Sequence, residues 1–465
     1  MQAIKESFLY TIYLNLIAWC SAQWSRSAVV RWFISQRQTP SHGFGDRILA
    51  AWRRGFRALG LDRLLEGSIF LHPAIFAGAA VVVAPLLPTM VCLGLVCASF
   101  FALCLRLGVS EETPESTPLD KYAVLFAGVY LYAMATSTSR QGSLFPALLT
   151  ALFVLFFLAL TKCSLEKRVR LLVGLMMLTG VLVTAYGVYQ MLFPSRFQSA
   201  WLDDDMFSDI TFRVYSTLEN PNVLGEYYLL ILPLTGAMIL TAGSWKKRLL
   251  SGAAFVIMTA GLVLTYSRGC YLGLLFAVMV FLVLMDRRFL ILGIVAVVLS
   301  PLYLPETVLT RFTSIGDLND SSTSYRVFIW MGTLEMLKDY WFTGIGPGET
   351  AFNTVYPRYA YNAVTAPHSH NLFLQVVCDT GICGLIVLVL ALVCYYRMMF
   401  TAMHRETDRQ AMLFQIAGVA AVSGFLVQSM TDYTFYNYRV LLLFWAVLGL
   451  SVLFTRMGTP REETP

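Results

Sequence analysis

The sequence predicts an all-α integral membrane protein of about twelve transmembrane helices, on three observations. Hydrophobic residues make up 57% of the 465 and charged residues 13%, where a soluble domain carries about a quarter charged. The apolar residues gather into stretches close to the roughly 20 needed to cross the hydrocarbon region. Lysine and arginine crowd one set of connecting loops and are sparse in the other, the imbalance that sets orientation in a membrane.

Taken in order, residues 1–69 form a basic N-terminal segment with Lys5, Arg26, Arg31, Arg37, Arg47, Arg53, Arg54, Arg57 and Arg63. Within it, 46–66 carries Ile48, Leu49, Trp52, Phe56, Leu59 and Leu64 at helical spacing, with arginines between them. Such a basic amphipathic helix either lies on an anionic leaflet or packs on the cytoplasmic ends of the spans. Nine spans follow within 70–304: 70–88, 89–106, 121–137, 144–162, 170–192, 222–241, 249–266, 270–285 and 289–304. Residues 305–370 make a long loop; 371–396, 410–430 and 438–455 are three more spans; 456–465 is a tail. Pro85 and Pro88 favour a short hairpin between the first two spans, and Ser267, Arg268 and Gly269 alone join the seventh to the eighth. The acidic, proline-containing stretch 106–120 reads as a linker.

With the N-terminus in the cytoplasm, twenty-five of the 34 Lys/Arg lie inside and nine outside. The inverted orientation breaks the positive-inside rule at almost every loop. Both termini are therefore expected in the cytoplasm, in a multi-pass protein of the cytoplasmic (inner) membrane. No cleavable signal peptide is expected, because the N-terminus lacks the charged–apolar–small order of one. Most of the nine cysteines fall in or beside spans and form no C-x-x-C pair, so they read as small apolar residues. No internal repeat is evident, which weakens an inverted-repeat transporter.

The nine outer basic residues are Arg140, Arg196, Arg213, Arg268, Arg311, Arg326, Arg358, Arg439 and Lys338. Isolated arginines beside apolar helix ends suit an anion, which points to an enzyme or carrier for a phosphorylated, lipid-borne substrate. The long outer segments 193–221 and 305–370 are of the length that usually serves function. In the second, Val327, Trp330, Leu334 and Leu337 predict a helix over 323–340, capped by Ser322 or Thr323 and ended by the glycine-rich 344–349.

Four outer clusters carry candidate chemistry. Arg213 precedes Asn220-Pro221-Asn222, where Asn222 is a good N-cap and the helix N-terminus attracts phosphate. Glu226, a turn into that span, is costly in a membrane and either serves the site or pairs with an arginine. Arg268, at the sharp reversal, has the planar donor fork that suits bidentate phosphate contacts; snorkelling to lipid is the alternative. Arg326, near a helix start where a cation is unfavourable, reads as serving a partner or as a surface group. His368, His370 and Asn371 open the tenth span. His370 is the candidate general base, against a histidine that only caps the helix. With no adjacent carboxylate or third histidine, the two histidines are not expected to bind metal. Asp379 lies roughly 13 Å deeper at 1.5 Å per residue, on the opposite helix face, and is read as packing. Gly344–Gly348 lacks the Gly-Lys-Ser/Thr of a P-loop, and a turn is favoured over an anion nest.

In order and spacing, RVYSTLENPN (213–222), TYSRG (265–269), YRVFIWMGTLEM with GIGPG (325–348), and HNLFLQ with GICGL (370–385) resemble the O-antigen ligase/polymerase superfamily of bacterial membrane glycosyltransferases. The resemblance spans 210–390. Asp379 departs from it, since a glutamate is expected just before Gly-Ile. The resemblance implies a C-type glycosyltransferase-like bundle of about twelve helices with a large, partly helical extracytoplasmic loop. It implies an undecaprenyl-diphosphate-linked glycan donor, a glycan or glycolipid acceptor, and no cofactor, metal or nucleic acid. Residue by residue, Arg213, Arg268 and Arg326 would hold the diphosphate and His370 would orient or deprotonate the acceptor hydroxyl. Asn222, Glu226, His368 and Asn371 stand as possible support. Ligase-like transfer is the leading expectation, a polymerase the alternative within the family, and a transporter or flippase of the same lipid the alternative outside it.

Overall fold

The computed structural model describes residues 44–457, except 112–113, 164, 198–211, 287, 300–305, 307–308 and 310–320. Residues 1–43 of the basic segment, 198–211 of loop 193–221, most of 305–320 with Arg311, and 458–465 of the tail therefore lie outside the described residues. Among the described residues all regular structure is helical, as an all-α membrane protein requires.

The chain divides into two compact units. The smaller contains α1 (Phe44–Ala58) and residues 107–111. Phe56 is buried against Gly108, where a Cβ would come within 2.7 Å of its ring. Arg53 Nε donates to the Leu107 carbonyl at 3.2 Å and Arg57 pairs with Glu111 at 2.7 Å. Ile48, Trp52 and Leu59 remain exposed. The amphipathic helix thus packs through Phe56 and keeps part of its apolar stripe uncovered.

The larger unit holds the apolar helices α2 (Pro73–Val83), α3 (Thr89–Val109) up to Arg106, α4 (Pro118–Ala135), α5 (Arg140–Lys162) and α6 (Val169–Leu192). After them come α7 (Pro221–Leu240), α8 (Trp245–Val263), α9 (Arg268–Met285) and α10 (Phe289–Val298). Then come α11 (Ser321–Tyr340), α12 (Glu349–Val355), α13 (Leu372–Arg405), α14 (Arg409–Gln428) and α15 (Tyr438–Phe454). Seven of these, α3, α5, α6, α7, α9, α13 and α14, are long and apolar enough to cross a membrane; α2 and α15 are apolar but shorter. The predicted stretches at 70–88 and 289–304 hold helices of only 11 and 10 residues.

The helix ends follow local chemistry. Asn220, not Asn222, caps α7: its Oδ1 accepts from the Asn222 amide at 2.8 Å, and Pro221 takes the first helical position, where its missing N–H costs nothing. Asn371 caps α13 by accepting from Leu374 N at 3.0 Å, so His370 is not the cap. Ser322 and Thr323 lie inside α11 rather than before it, and Ser322 instead accepts from Arg326.

Two backbone approaches set the site. On α9 and α14, a Cβ at Gly273 would lie 2.7 Å from the Gly424 carbonyl, and one at Gly424 2.6 Å from that of Gly273. Small residues let membrane helices approach this closely, and the crossing brings Arg268 beside the end of α14. In α13 the helix breaks at Gly381, with φ 69° and ψ −173°. Segment 341–348 runs against that break: Ile382 N donates to Trp341 O at 2.8 Å, Ile345 N to Cys378 O at 2.6 Å and Gly346 N to Asp379 O at 3.2 Å. The Gly344, Ile345 and Gly346 amides are thus spent on carbonyls, and the Gly348 backbone meets the Asp379 carboxylate. A small core of Ile329, Met336, Ile345, Phe352 and Tyr356 seats α11 and α12 on Cys378 of α13.

Candidate active site

Where α7, α9, α11, α13 and α14 meet, a cavity of about 1170 Å³ opens, and Arg213, Arg268 and Arg326 all line it, with His368 and His370. Of the other outer basic residues, Lys338 pairs with Glu335, Arg196 with the Tyr189 hydroxyl, and Arg439 with Thr217 O and Glu219. The cavity selects three arginines from stretches far apart in sequence.

Arg213 and Arg268 sit where their segments turn, and Arg326 lies in the second turn of α11. Arg213 Nε donates to Thr265 O at 2.9 Å and its Nη2 to Asn222 Oδ1 at 3.1 Å. Arg326 Nε donates to Thr431 O at 2.8 Å, and Nη1 reaches both oxygens of Ser322. Arg268 is the first residue of α9, after Tyr266 with φ 50°. A left-handed non-glycine residue is a strained conformation that its surroundings must hold. Carbonyls thus orient the Arg213 and Arg326 guanidinium forks, whereas an exposed arginine would choose among many rotamers.

His370 is left-handed too, with φ 48°. Its amide donates to His368 Nδ1 at 3.2 Å and its carbonyl accepts from Trp330 Nε1 at 3.3 Å. Its ring Nδ1 lies 3.1 Å from Asp432 Oδ1. Asp432, at 3% exposure, also accepts from Asn222 Nδ2 at 3.0 Å through Oδ2. Burial acts to raise its pKa, but the His370 hydrogen bond and charge, with Arg326 and His368, hold it well below the ordinary carboxylate range. An ionised carboxylate only accepts, so Nδ1 of His370 is the donor in this pair.

The expectation that no carboxylate completes the two histidines is overturned, because Asp432 arrives from 62 residues away. His368, His370 and Asp432 each offer a ligand atom within 4.8 Å of the others. Both histidine Nδ1 atoms and both Asp432 oxygens are already engaged in hydrogen bonds, a pattern that suits a hydrogen-bonded dyad better than a ligand set. Burial, then the charge of His370, pushes the His368 imidazole down to about 3, so it stays neutral between the rings of Tyr433 and Tyr436.

The remaining support residues divide. Asn222 bridges Arg213 and Asp432 and lines the cavity. Glu226 is fully buried and pairs with no arginine among the described contacts: Gln428 Nε2 donates to it at 3.3 Å. Asn371 donates to Met430 O at 2.8 Å, which ties the mouth of α13 to the segment carrying Asp432.

Sequence reasoning missed Asp432, Gln428, Thr431 and Tyr433. A signal existed: 428–438, QSMTDYTFYNY, is a polar, tyrosine-rich break between two apolar helices. Asp379 does not touch His370. It accepts from Gln375 Nε2 at 2.9 Å, Tyr130 at 3.4 Å and Tyr433 at 3.5 Å, and Gln375 in turn accepts from Ser369 N at 2.8 Å. It therefore links the turn bearing His370 to the residue beside Asp432.

Residues 253–389 match the family described as O-antigen ligase. Over this stretch, less than a third of its length, the chain is similar to that family. The O-antigen ligase match takes in Arg268, Arg326, His370 and Asp379, while Arg213, Asn222 and Asp432 come to the same cavity from outside it. A comparison with curated proteins finds no match. The apolar helices make this a multi-pass membrane protein, and the matched stretch supports a membrane glycosyltransferase of the O-antigen ligase/polymerase type.

Proposed function

We infer that the protein moves a glycan from undecaprenyl diphosphate to an acceptor glycan or glycolipid on the outer face of the cytoplasmic membrane. The carrying observation is that Arg213, Arg268 and Arg326 line one cavity with the His370–Asp432 pair. In the proposed step, His370 Nε2 takes the proton of an acceptor hydroxyl. That oxygen bonds to the anomeric carbon, the bond from this carbon to the diphosphate oxygen breaks, and polyprenyl diphosphate leaves with the electron pair. The three guanidiniums offset the charge that grows on the leaving group, in a site whose low dielectric strengthens them. Asp432 holds the ring in the useful tautomer and stabilises the imidazolium.

Arginines supply the leaving-group charge stabilisation, so the transfer is metal-independent in this reading. The positive-inside count of the sequence supports cytoplasmic termini and an outward site. Ligase-like transfer is the leading reading; a polymerase would use the same groups with a lipid-linked glycan as acceptor. A flippase would instead place charged groups along a path through the bundle, whereas these gather at helix ends.

The test is turnover by purified protein in detergent, with lipid-linked glycan and acceptor, in excess EDTA. Release of polyprenyl diphosphate coupled to a longer glycan is expected with no ion gradient. Absence of turnover until a divalent ion is restored would remove the metal-free mechanism, and movement of the lipid across a bilayer without any transfer would favour the flippase.

A further inference from the structure

A second cavity, of about 640 Å³, lies beside the first and shares Tyr436 and Tyr438 with it. Its other walls are the turn between α2 and α3, the end of α6, and residues 215–219. None of the arginines assigned to the diphosphate lines it. No role falls to it from the chemistry described above.

The 215–219 wall is fixed at each residue that matters. Ser216 and Glu219 take left-handed backbone, with φ 52° and 66°. The Gln190 amide pins Ser216 from both ends, accepting from its N–H at 2.7 Å and donating to its carbonyl at 3.2 Å. Thr217 donates its hydroxyl to Pro85 O. Arg439, with 7% exposure, donates to Thr217 O at 2.9 Å and meets Glu219 Oε1 at 3.5 Å. Strained backbone persists where its surroundings over-determine it. The result is a rigid ledge that holds the Glu219 carboxylate, 84% exposed, above a floor of tyrosine rings.

The lining chooses among ligands. A phosphate is disfavoured, because the cation that lines the cavity, Arg439, is buried and already faces a carboxylate. A lipid chain is disfavoured by Glu219, Thr217 and Asn437, whose polar groups it would strip of water. A sugar ring has what the walls ask for. Its C–H face stacks on aromatic rings such as Tyr186, Tyr215 and Tyr436, and its edge hydroxyls donate to a carboxylate. The volume lies in the range of small-molecule sites.

We propose that this second cavity is a carbohydrate subsite, in which Tyr186 stacks on a sugar ring and Glu219 accepts its hydroxyls, holding glycan units beyond the one that reacts. The proposal rests on the glycan-transfer reading above. Through Tyr436 and Tyr438 the glycan would continue into the main cavity, so chain length or sugar identity is read at a distance from His370. The same carbohydrate chemistry could belong to the donor glycan or to the acceptor.

The experiment uses the full-length protein in detergent and two probes, each by saturation-transfer NMR. One is the lipid-free glycan released by mild acid from the source cell's own polyprenyl diphosphate pool. The other is the lipid-free acceptor glycan from the same cell. Binding of one probe is expected and identifies its source. Tyr186→Ala and Glu219→Gln should each weaken it about tenfold, the loss of one good contact to a charged or aromatic group, and Tyr186→Phe should restore it. Arg268→Ala should leave the binding unchanged. Binding of neither probe, or binding that survives both substitutions, overturns the subsite, as does binding lost in Arg268→Ala but not in Tyr186→Ala. If Arg268→Ala keeps full transfer while the Tyr186 effect holds, the diphosphate assignment fails and the subsite stands.

Discussion

Asp432 and Asp379 are both buried aspartates at one end of the bundle, joined through neighbouring Tyr433, and they act in different ways. Asp432 sits in the break between α14 and α15 and lines the cavity, where it receives His370 and Asn222. Asp379 sits within α13 and receives Gln375 and two phenols, none of which it shares with His370. One carboxylate orients a reacting group; the other holds two backbone segments in register. Membrane depth and burial alone do not separate these roles, but the identity of the donors does.

The largest effect that would break this contrast is at the pair itself. His370→Ala should reduce transfer by about a thousandfold, within the range for general-base loss, while donor binding persists. Asp432→Asn should fall almost as far, because an amide can donate to Nδ1 and turn the ring to the wrong tautomer. Single-turnover rates with saturating donor check both. Near-normal rates in either variant would take the dyad out of the chemistry.

Arg213→Ala and Arg268→Ala come next. A hydrogen bond to a charged group contributes about 1.5–3 kcal/mol, so each loss should weaken donor affinity by tens-fold to a hundredfold. Lipid-linked glycan titrated against folded variants measures this. Unaltered affinity in both would leave the diphosphate without a holder.

Asp379→Asn sharpens the comparison at a smaller scale. If Asp379 only positions, kcat should drop about tenfold, as expected when a reacting pair is displaced slightly, and the donor KM should hold. A fall as deep as that of Asp432→Asn would mean that Asp379 reaches the chemistry itself.

What was legible in the sequence follows the same division. Membrane helices announce themselves by apolar length, and Arg268 and His370 sit at helix starts, Arg213 ahead of one and Arg326 in the second turn of another, so local pattern was enough to nominate them. Asp432 was invisible to that logic. Its significance comes from a 62-residue separation that no local period encodes. The cap at Asn220 was missed by two residues because Pro221 was read as part of the turn, when its fixed φ and missing N–H make it the first residue of the helix. Asp379 does not pair with His370, as expected, but the reason is not helix phase, since His370 stands before the Asn371 cap of α13. Its link to Ser369 runs through Gln375, one helical turn away, and needed coordinates to be seen.

His368 gives the smallest effect, and one whose direction can be worked out. It packs against Tyr433 and Tyr436, with His370, Asp432 and Arg326 as its charged neighbours. Its imidazole is held down to about 3 in the fold against an ordinary 6.5. Above pH 6.5 both folded and unfolded chains leave it neutral, and it adds no pH dependence. Below 6.5 the unfolded chain takes up a proton that the fold refuses until about pH 3, so stability falls with falling pH across that window. Asp432, depressed in the fold, loses its own contribution only below the ordinary carboxylate value, so it is silent from pH 6.5 to 4.5, and the difference between the protein and its His368→Gln variant over that interval reports the histidine. The apparent melting temperature in detergent should therefore decline from neutral pH towards pH 4.5, and His368→Gln should flatten the decline even if it lowers the curve as a whole. An equally steep decline in the variant would show that His368 is solvated and charged in the fold, and the neutral imidazole behind His370 would then have to be given up.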